Sequence, residues 1–191
     1  MQASARDQST PAILVIAGGL IGIVAGFLDW MDFAPSDGEA TTFKGTDLTA
    51  GTGALGLGVA LLVLGIILYV RGGRTGGKGV SIAVIVLAAF VLFAGGYSAL
   101  SPGDALAEFE SSSVAEEYDI DDDVAKAAIK AGIEAENIEV SALAGAWVAT
   151  AAGLLAFVGG IMGVRRSKQI RESGTTSTQS AESPAAPPPT V

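Results

Sequence analysis

Three groupings in this sequence have residue types and spacings that could do chemistry. Asp119, Asp121 and Asp123 alternate as the first three ligands of a calcium loop do, and Gly51, Gly53 and Gly56 spell GxGxxG. Asp29, Asp32 and Asp47 bring carboxylates to the end of the first apolar stretch and the segment after it. A calcium loop needs Gly at its sixth position and Glu at its twelfth, where this chain has Val124 and Lys130. A solvated acidic face is therefore the expected reading, and a loose calcium or magnesium site is the alternative. GxGxxG cradles a pyrophosphate when a strand precedes it and an acid follows about 20 residues later. Here the glycines open an apolar stretch instead. The carboxylates near Asp29 have no basic groups framing them for a phosphate, and water at a membrane boundary explains Asp29 and Asp32.

The absences narrow the chemistry further. The chain has no His and no Cys, which removes imidazole and thiolate metal sites, thiol nucleophiles, disulfides and His-based triads. No catalytic, cofactor or metal site is expected, and the chain reads as a non-enzyme. Nothing suggests a nucleic-acid partner in a chain of net charge -9. Of its 191 residues 50% are apolar and only 16% charged, and its 26 glycines lie mostly inside the apolar stretches. Soluble domains carry about 25% charged residues, so the composition points to a polytopic membrane protein.

A bilayer core about 30 Å thick requires about 20 mostly apolar helical residues. Four spans qualify: 11–33, of which 11–28 is the apolar part and the rest extends it with Asp29 and Asp32 at the interface; 48–70; 79–100; and 141–164. Backbone in lipid must satisfy itself, so each span is expected to be a helix. Pro11 suits a first helical turn behind Ser9 or Thr10 as cap, and Pro102 helps to stop span three. Thr150 in span four and Ser81 in span three are expected to bond to the preceding helical turn. No Asp, Glu, Lys or Arg lies deep in a span, which removes the usual marker of an ion path.

Orientation follows from the short basic segments. Segment 71–78 carries Arg71, Arg74 and Lys78 without an acid, and Arg165, Arg166, Lys168 and Arg171 follow span four. Placing these inside puts 8 basic and 3 acidic residues within, and 3 basic and 17 acidic without. Both termini, 1–10 and 165–191, are thus expected in the cytoplasm of a plasma-membrane protein, with 34–47 and 101–140 outside. Trp30, Tyr97 and Trp147 fall at outer span ends and Tyr69 at an inner one, where interfacial anchors sit. Span one is longer than a secretory signal and lacks a clear cleavage site, so it is expected to remain as an anchor; cleavage would leave the other three spans oriented alike.

Small residues give the spans faces that can approach closely. Gly18, Gly22 and Gly26 form two overlapping GxxxG steps in span one. Gly145, Ala149 and Gly153 repeat the register in span four, followed by Gly159 and Gly163, while span two offers Ala54 and Gly58. These faces serve internal packing of one bundle or, alternatively, a homo-oligomer or partner contact. The expected fold is an all-α membrane protein, four transmembrane helices in an antiparallel bundle, with a small acidic helical extracellular cap between helices 3 and 4.

Within 101–140, Leu106, Phe109 and Val114 mark one helical stretch. Val124, Ala128, Ala131, Ile129 and Ile133 mark a second, capped by Asp121 or Asp122 and ended by Gly132. About 40 residues bury little core alone, so this cap should lean on the bundle or on a partner. From Ser173 to Val191 the chain is rich in Ser, Thr, Ala and Pro and reads as a disordered tail.

Phe27-Leu28-Asp29-Trp30, then Gly45-Thr46-Asp47-Leu48 and Gly51-Thr52-Gly53, form a pattern that resembles the uncharacterised four-span (tetraspan) membrane proteins common in actinobacteria. The resemblance covers mainly residues 11–70, with a Gly-Ala-Trp stretch opening span four at Gly145. It implies a plasma-membrane protein with inside termini and no assigned chemistry. The outer loop between spans three and four departs from it, being longer and more acidic. A claudin-like tetraspan is similar in its four-span plan and an outer Trp, but outer cysteines and the Gly-Leu-x-Trp context are missing here, which leaves a fold-level analogy. The function expected is that of a scaffold or accessory subunit, its partners membrane lipid and either another membrane or envelope protein or further copies of itself. The alternative is a small oligomeric channel or transporter component.

Overall fold

The computed structural model describes residues 9–36, 38–71 and 77–180. It is mostly helical, with a small sheet at one end. In chain order come α1 (Thr10–Phe27), β1 (Asp29–Ala34), β2 (Thr41–Lys44), a 3-10 turn (Gly45–Asp47), α2 (Thr49–Arg71), α3 (Gly77–Leu100), α4 (Pro102–Tyr118), α5 (Asp122–Ala135), β3 (Glu139–Ala142) and α6 (Ala144–Ser180). Four of these helices, α1, α2, α3 and α6, are long and apolar enough to cross a membrane.

Glycine and alanine set how those four meet. A β-carbon on Gly19 would lie 2.6 Å from the Leu62 nitrogen of α2, and one on Gly18 would lie 2.7 Å from the Ala152 carbonyl of α6. One on Gly153 would lie 2.6 Å from the Leu92 nitrogen of α3. In each case backbone meets backbone, a packing gain that lipid cannot match. The registers run in opposite directions. Gly19 meets Leu62 and Gly26 meets Leu55; Pro11 meets Gly159 and Gly22 meets Ala152; Ser81 meets Gly163 and Gly95 meets Thr150. So α1 lies antiparallel to both α2 and α6, and α3 antiparallel to α6. Contacts between α2 and α3 complete the set. Val15, Leu61, Val84, Ala88, Val91 and Ala156 fill the middle of the four. Ile13, Leu20, Val24, Val63, Phe90 and Leu154 point outward.

The first span is shorter than hydropathy suggests. Helix α1 ends at Phe27, Leu28 turns extended at φ -80° and ψ 166°, and residues 29–34 form a strand rather than the last turns of a helix to Phe33. Acids at the C-terminal end of a helix oppose its dipole, and Asp29 and Asp32 would stand there. The Trp30 indole N–H also donates to the Ala25 carbonyl at 2.7 Å, satisfying a last-turn acceptor and turning the chain back on itself.

The sheet has the order β2-β1-β3, antiparallel throughout. It adds strand to a fold expected to be helix alone. Met31, Phe33, Phe43 and Val140 pack on its covered face in the core around Trp30, while Thr42 Oγ1 donates to the Asp32 carboxylate at 3.2 Å on the other face. This is the alternation a half-covered sheet requires.

Three further expectations change. Gly132 lies inside α5, which continues to Ala135. It stops where Asn137 takes φ 48° and the Ile138 N–H reaches back to the Ile133 carbonyl, a Schellman end built on Asn. Ser81 Oγ, like Ser98 Oγ, is buried without a hydrogen-bond partner among the described residues, whereas Thr150 Oγ1 does bond to the Ala146 carbonyl at 2.8 Å. Helix α6 also runs to Ser180, through the first part of the segment read as disordered, because extending a formed helix is far easier than starting one. Residues 1–8, 72–76 and 181–191, which include most of the basic inner loop and the Pro-rich end of the tail, lie outside the described residues.

Candidate interaction surface at the acidic end

At the end of the helices where the sheet lies, Trp30 is the centre of the packing. It is fully buried at 0% exposure, not set at a lipid interface as its position suggested. Gly45 and Gly145 close on its ring from two sides, and a β-carbon on Gly145 would collide with the indole. Met31, Leu48, Ala50, Ala99, Ala105 and Ala146 belong to the same core. One aromatic side chain thus joins the end of α1, the turn before α2 and the start of α6.

Helices α4 and α5 stand over this core. Four buried small residues, Ala105, Ala107, Ser111 and Ala115, line α4, and Ala125 is the buried residue of α5. Lys126 pairs with Glu108 and Lys130 with Asp104. Each partner advances by four residues in opposite directions, so the two pairs hold α4 and α5 antiparallel in one register. The Lys130 ammonium, by hydrogen bond and charge, holds the Asp104 carboxyl below its ordinary value. The Glu108 hydrogen bond holds the Lys126 ammonium above its own. These pairs are solvent-exposed, so they direct the register more than they stabilise it.

A third tie binds α4 to α2. The Glu110 carboxylate accepts from the Thr49 N–H at 2.6 Å and from the Thr49 hydroxyl at 3.0 Å. Thr49 is the first residue of α2, where unpaired N–H groups and the positive end of the helix dipole favour a carboxylate. A residue from the cap therefore does the work that a local N-cap usually does.

The other residues singled out in the sequence divide clearly. Gly18 and Gly159 lie between α1 and α6; Gly22 faces α2 and α6; Gly26 faces α2; Gly153 and Gly163 face α3. Ala149 is buried in the outer core, and Gly145 faces Trp30. All eight small residues thus meet other parts of the same chain. Tyr69 and Trp147 are exposed on their helices. Tyr97 stacks on Phe93 at 5.7 Å and meets the edge of Phe109 at 6.1 Å, which ties α3 to α4. Of the GxGxxG glycines, Gly51 packs on the Gly45 backbone, whereas Gly53 and Gly56 face open space. Asp119 ends α4 at φ 53° and Asp121 stands at the N-cap of α5. Asp121 makes no side-chain capping bond there, and no three acids gather for a metal ion among the described residues.

Sequence reasoning missed Glu110 and the burial of Trp30. Nothing local marks Glu110, which acts on a residue 61 positions away. For Trp30 the faint signal was a pair of glycines, Gly45 just before α2 and Gly145 in the first turn of α6. What remains at the surface is an acidic platform: 101–140 holds 12 acids and 2 lysines, a net of -10. No protein-family model, curated protein or solved structure matches the chain.

Proposed function

We propose that the chain is a non-enzymatic plasma-membrane protein, a scaffold or accessory subunit whose extracellular acidic platform binds another membrane or envelope protein. Both termini lie in the cytoplasm in this reading, because the basic segments next to the spans favour that side. The observation that carries it is the attachment of the platform. Trp30, the Glu110–Thr49 bonds and the three-stranded sheet each fasten residues of a net -10 surface to the ends of the helices. A platform held in one pose presents its charges in a fixed pattern, which serves recognition and on-rate. The packing glycines, by contrast, are already occupied within the chain and leave the platform as the broad polar surface for a partner.

The test is gentle extraction from the native membrane followed by cross-linking and mass measurement. A defined hetero-assembly that dissociates as salt rises is the expected result, since exposed charges are screened over about 8 Å at physiological salt. Repeated recovery of the chain alone, cross-linked to nothing, overturns the reading.

A further inference from the structure

The two edges of the small sheet are not alike. In the β1–β3 ladder the Leu143 N–H donates to the Trp30 carbonyl at 2.8 Å, and the register pairs Asp32 with Ser141 and Ala34 with Glu139. Bonding direction alternates along an antiparallel strand. Ser141 and Glu139 therefore direct their backbone groups toward β1, and Val140 and Ala142 direct theirs to the free edge. No hydrogen bond to those four outward groups is present among the described residues. On the opposite edge, the outward Lys44 N–H of β2 is taken by the Asp47 carboxylate at 3.1 Å. That contact blunts one end of the β2 edge. The β3 edge has no such partner among the described residues.

Beside β3 lies an open groove of about 410 Å³, whose lining includes Val140, Ile138, Ile133, Pro102 and Gly103. That volume is within the range of ligand pockets, about 300–1,000 Å³. A strand added along β3 would send every second side chain toward the groove, on the face that Val140 shares. The intervening side chains would share the face of Asp32 and Ser141, near exposed Glu139. Lys130, at the groove wall, is neutralised by Asp104, so Glu134 and Glu139 set the local sign.

We infer that the β3 edge and its groove form a strand-addition site for an extended segment of a partner protein that alternates apolar and basic residues. This rests on the accessory-subunit reading and names its contact. Charge selects the occupant. A second copy would bring another net -10 surface against the first, whereas a basic segment lowers that repulsion and completes the ladder.

The probe is a short labelled peptide alternating lysine and valine, titrated by fluorescence anisotropy against the full chain in lipid nanodiscs. The site binds it, and an otherwise identical peptide with glutamate for lysine binds at least about tenfold more weakly. Val140→Pro removes an outward N–H while leaving the ladder to β1 intact, and it lowers affinity about tenfold or more. Thr42→Pro, on the opposite edge, leaves binding unchanged. If Val140→Pro does not fold, Glu134→Lys together with Glu139→Lys reports instead and also weakens binding. Unchanged binding by the variant that reports overturns the proposal, as do equal affinities for the two peptides, or cross-links from β3 to a second copy. Native extraction separates the two levels: a partner that stays bound to the edge variant sinks the site and spares the accessory-subunit reading. No partner from any membrane, with the peptide still bound, does the reverse.

Discussion

The four long apolar helices and the acidic platform solve the same problem, holding helices together, with opposite materials. Between α1, α2, α3 and α6 the contacts are Gly and Ala against backbone, with outward faces of Ile, Leu, Val and Phe. Across the platform they are a buried indole with its hydrogen bond, a carboxylate on a helix N-terminus, two ion pairs and a sheet. The difference follows from the solvent. In lipid, apolar side chains gain nothing by association, so close approach must supply the attraction. In water, apolar burial contributes about 25 cal/mol per Å², and polar bonds add direction. Trp30 stands where the two regimes meet.

The strongest way to break this division is to remove that junction. Trp30→Ala should destabilise the platform by about 3–5 kcal/mol, the range for deleting a buried large aromatic. Hydrogen exchange in nanodiscs should show α4, α5 and β3 opening while the middle of α1 and α6 stays protected; uniform protection throughout would refute the junction role. Next in size is the lipid regime itself. Gly153→Leu, which forces a side chain into the α3 backbone, should cost about 1–3 kcal/mol. Gly53→Leu, in open space on α2, should be neutral or slightly stabilising through helix propensity. Equal effects of the two on thermal stability in detergent would show that the glycine contacts do not hold the helices.

Smaller again is the cap from α4. Glu110→Gln keeps the shape, loses the charge on the start of α2, and should cost about 1 kcal/mol. Faster amide exchange confined to the first turn of α2 is the expected mark. The smallest effect comes from the ion pairs. Asp104, held below the ordinary value of an Asp carboxyl, supports the α4–α5 pairing at neutral pH; that support fades as pH falls below its unfolded value and through its folded one. Lys126, held above 10.5, loses its contribution as pH rises past its folded value. Exchange in α4 and α5 should thus rise slightly at both extremes, with a flat region between, and a platform least protected at neutral pH would contradict the pairing.

How much could be read from the sequence tracks these two regimes. The four spans were legible because a bilayer imposes length and polarity on each residue separately. The presence of helices in 101–140 was legible from local periodicity, and so was Asp121 at the start of α5, but the buried face of α5 was not: Ala125 is buried while Val124, Ala128 and Ala131 of the expected stripe are exposed. The sheet was not. Its strands are 6, 4 and 4 residues long, too short for a period to assert itself, and β1 hides in what hydropathy takes as the end of a helix. Its partner β3 lies at the far end of the chain, and pairing over such a distance leaves no local pattern. Trp30 was misread for a related reason. A Trp at a span end is an anchor by default, and only the tertiary approach of Gly45 and Gly145 makes it a core residue.

The order β2-β1-β3 also has a consequence for biosynthesis. The central strand, which carries Trp30, emerges from the ribosome early, and its hairpin partner β2 follows at once. The strand that completes the sheet is translated only after α3, α4 and α5, immediately ahead of the last span. Until then Trp30 lacks Gly145 and the first turn of α6. Closure over the indole therefore has to wait until the first three candidate spans, both helices of the platform and the start of α6 have been made. A nascent chain halted before β3 should expose Trp30 to quenchers and to membrane quality-control proteases, while the finished chain conceals it.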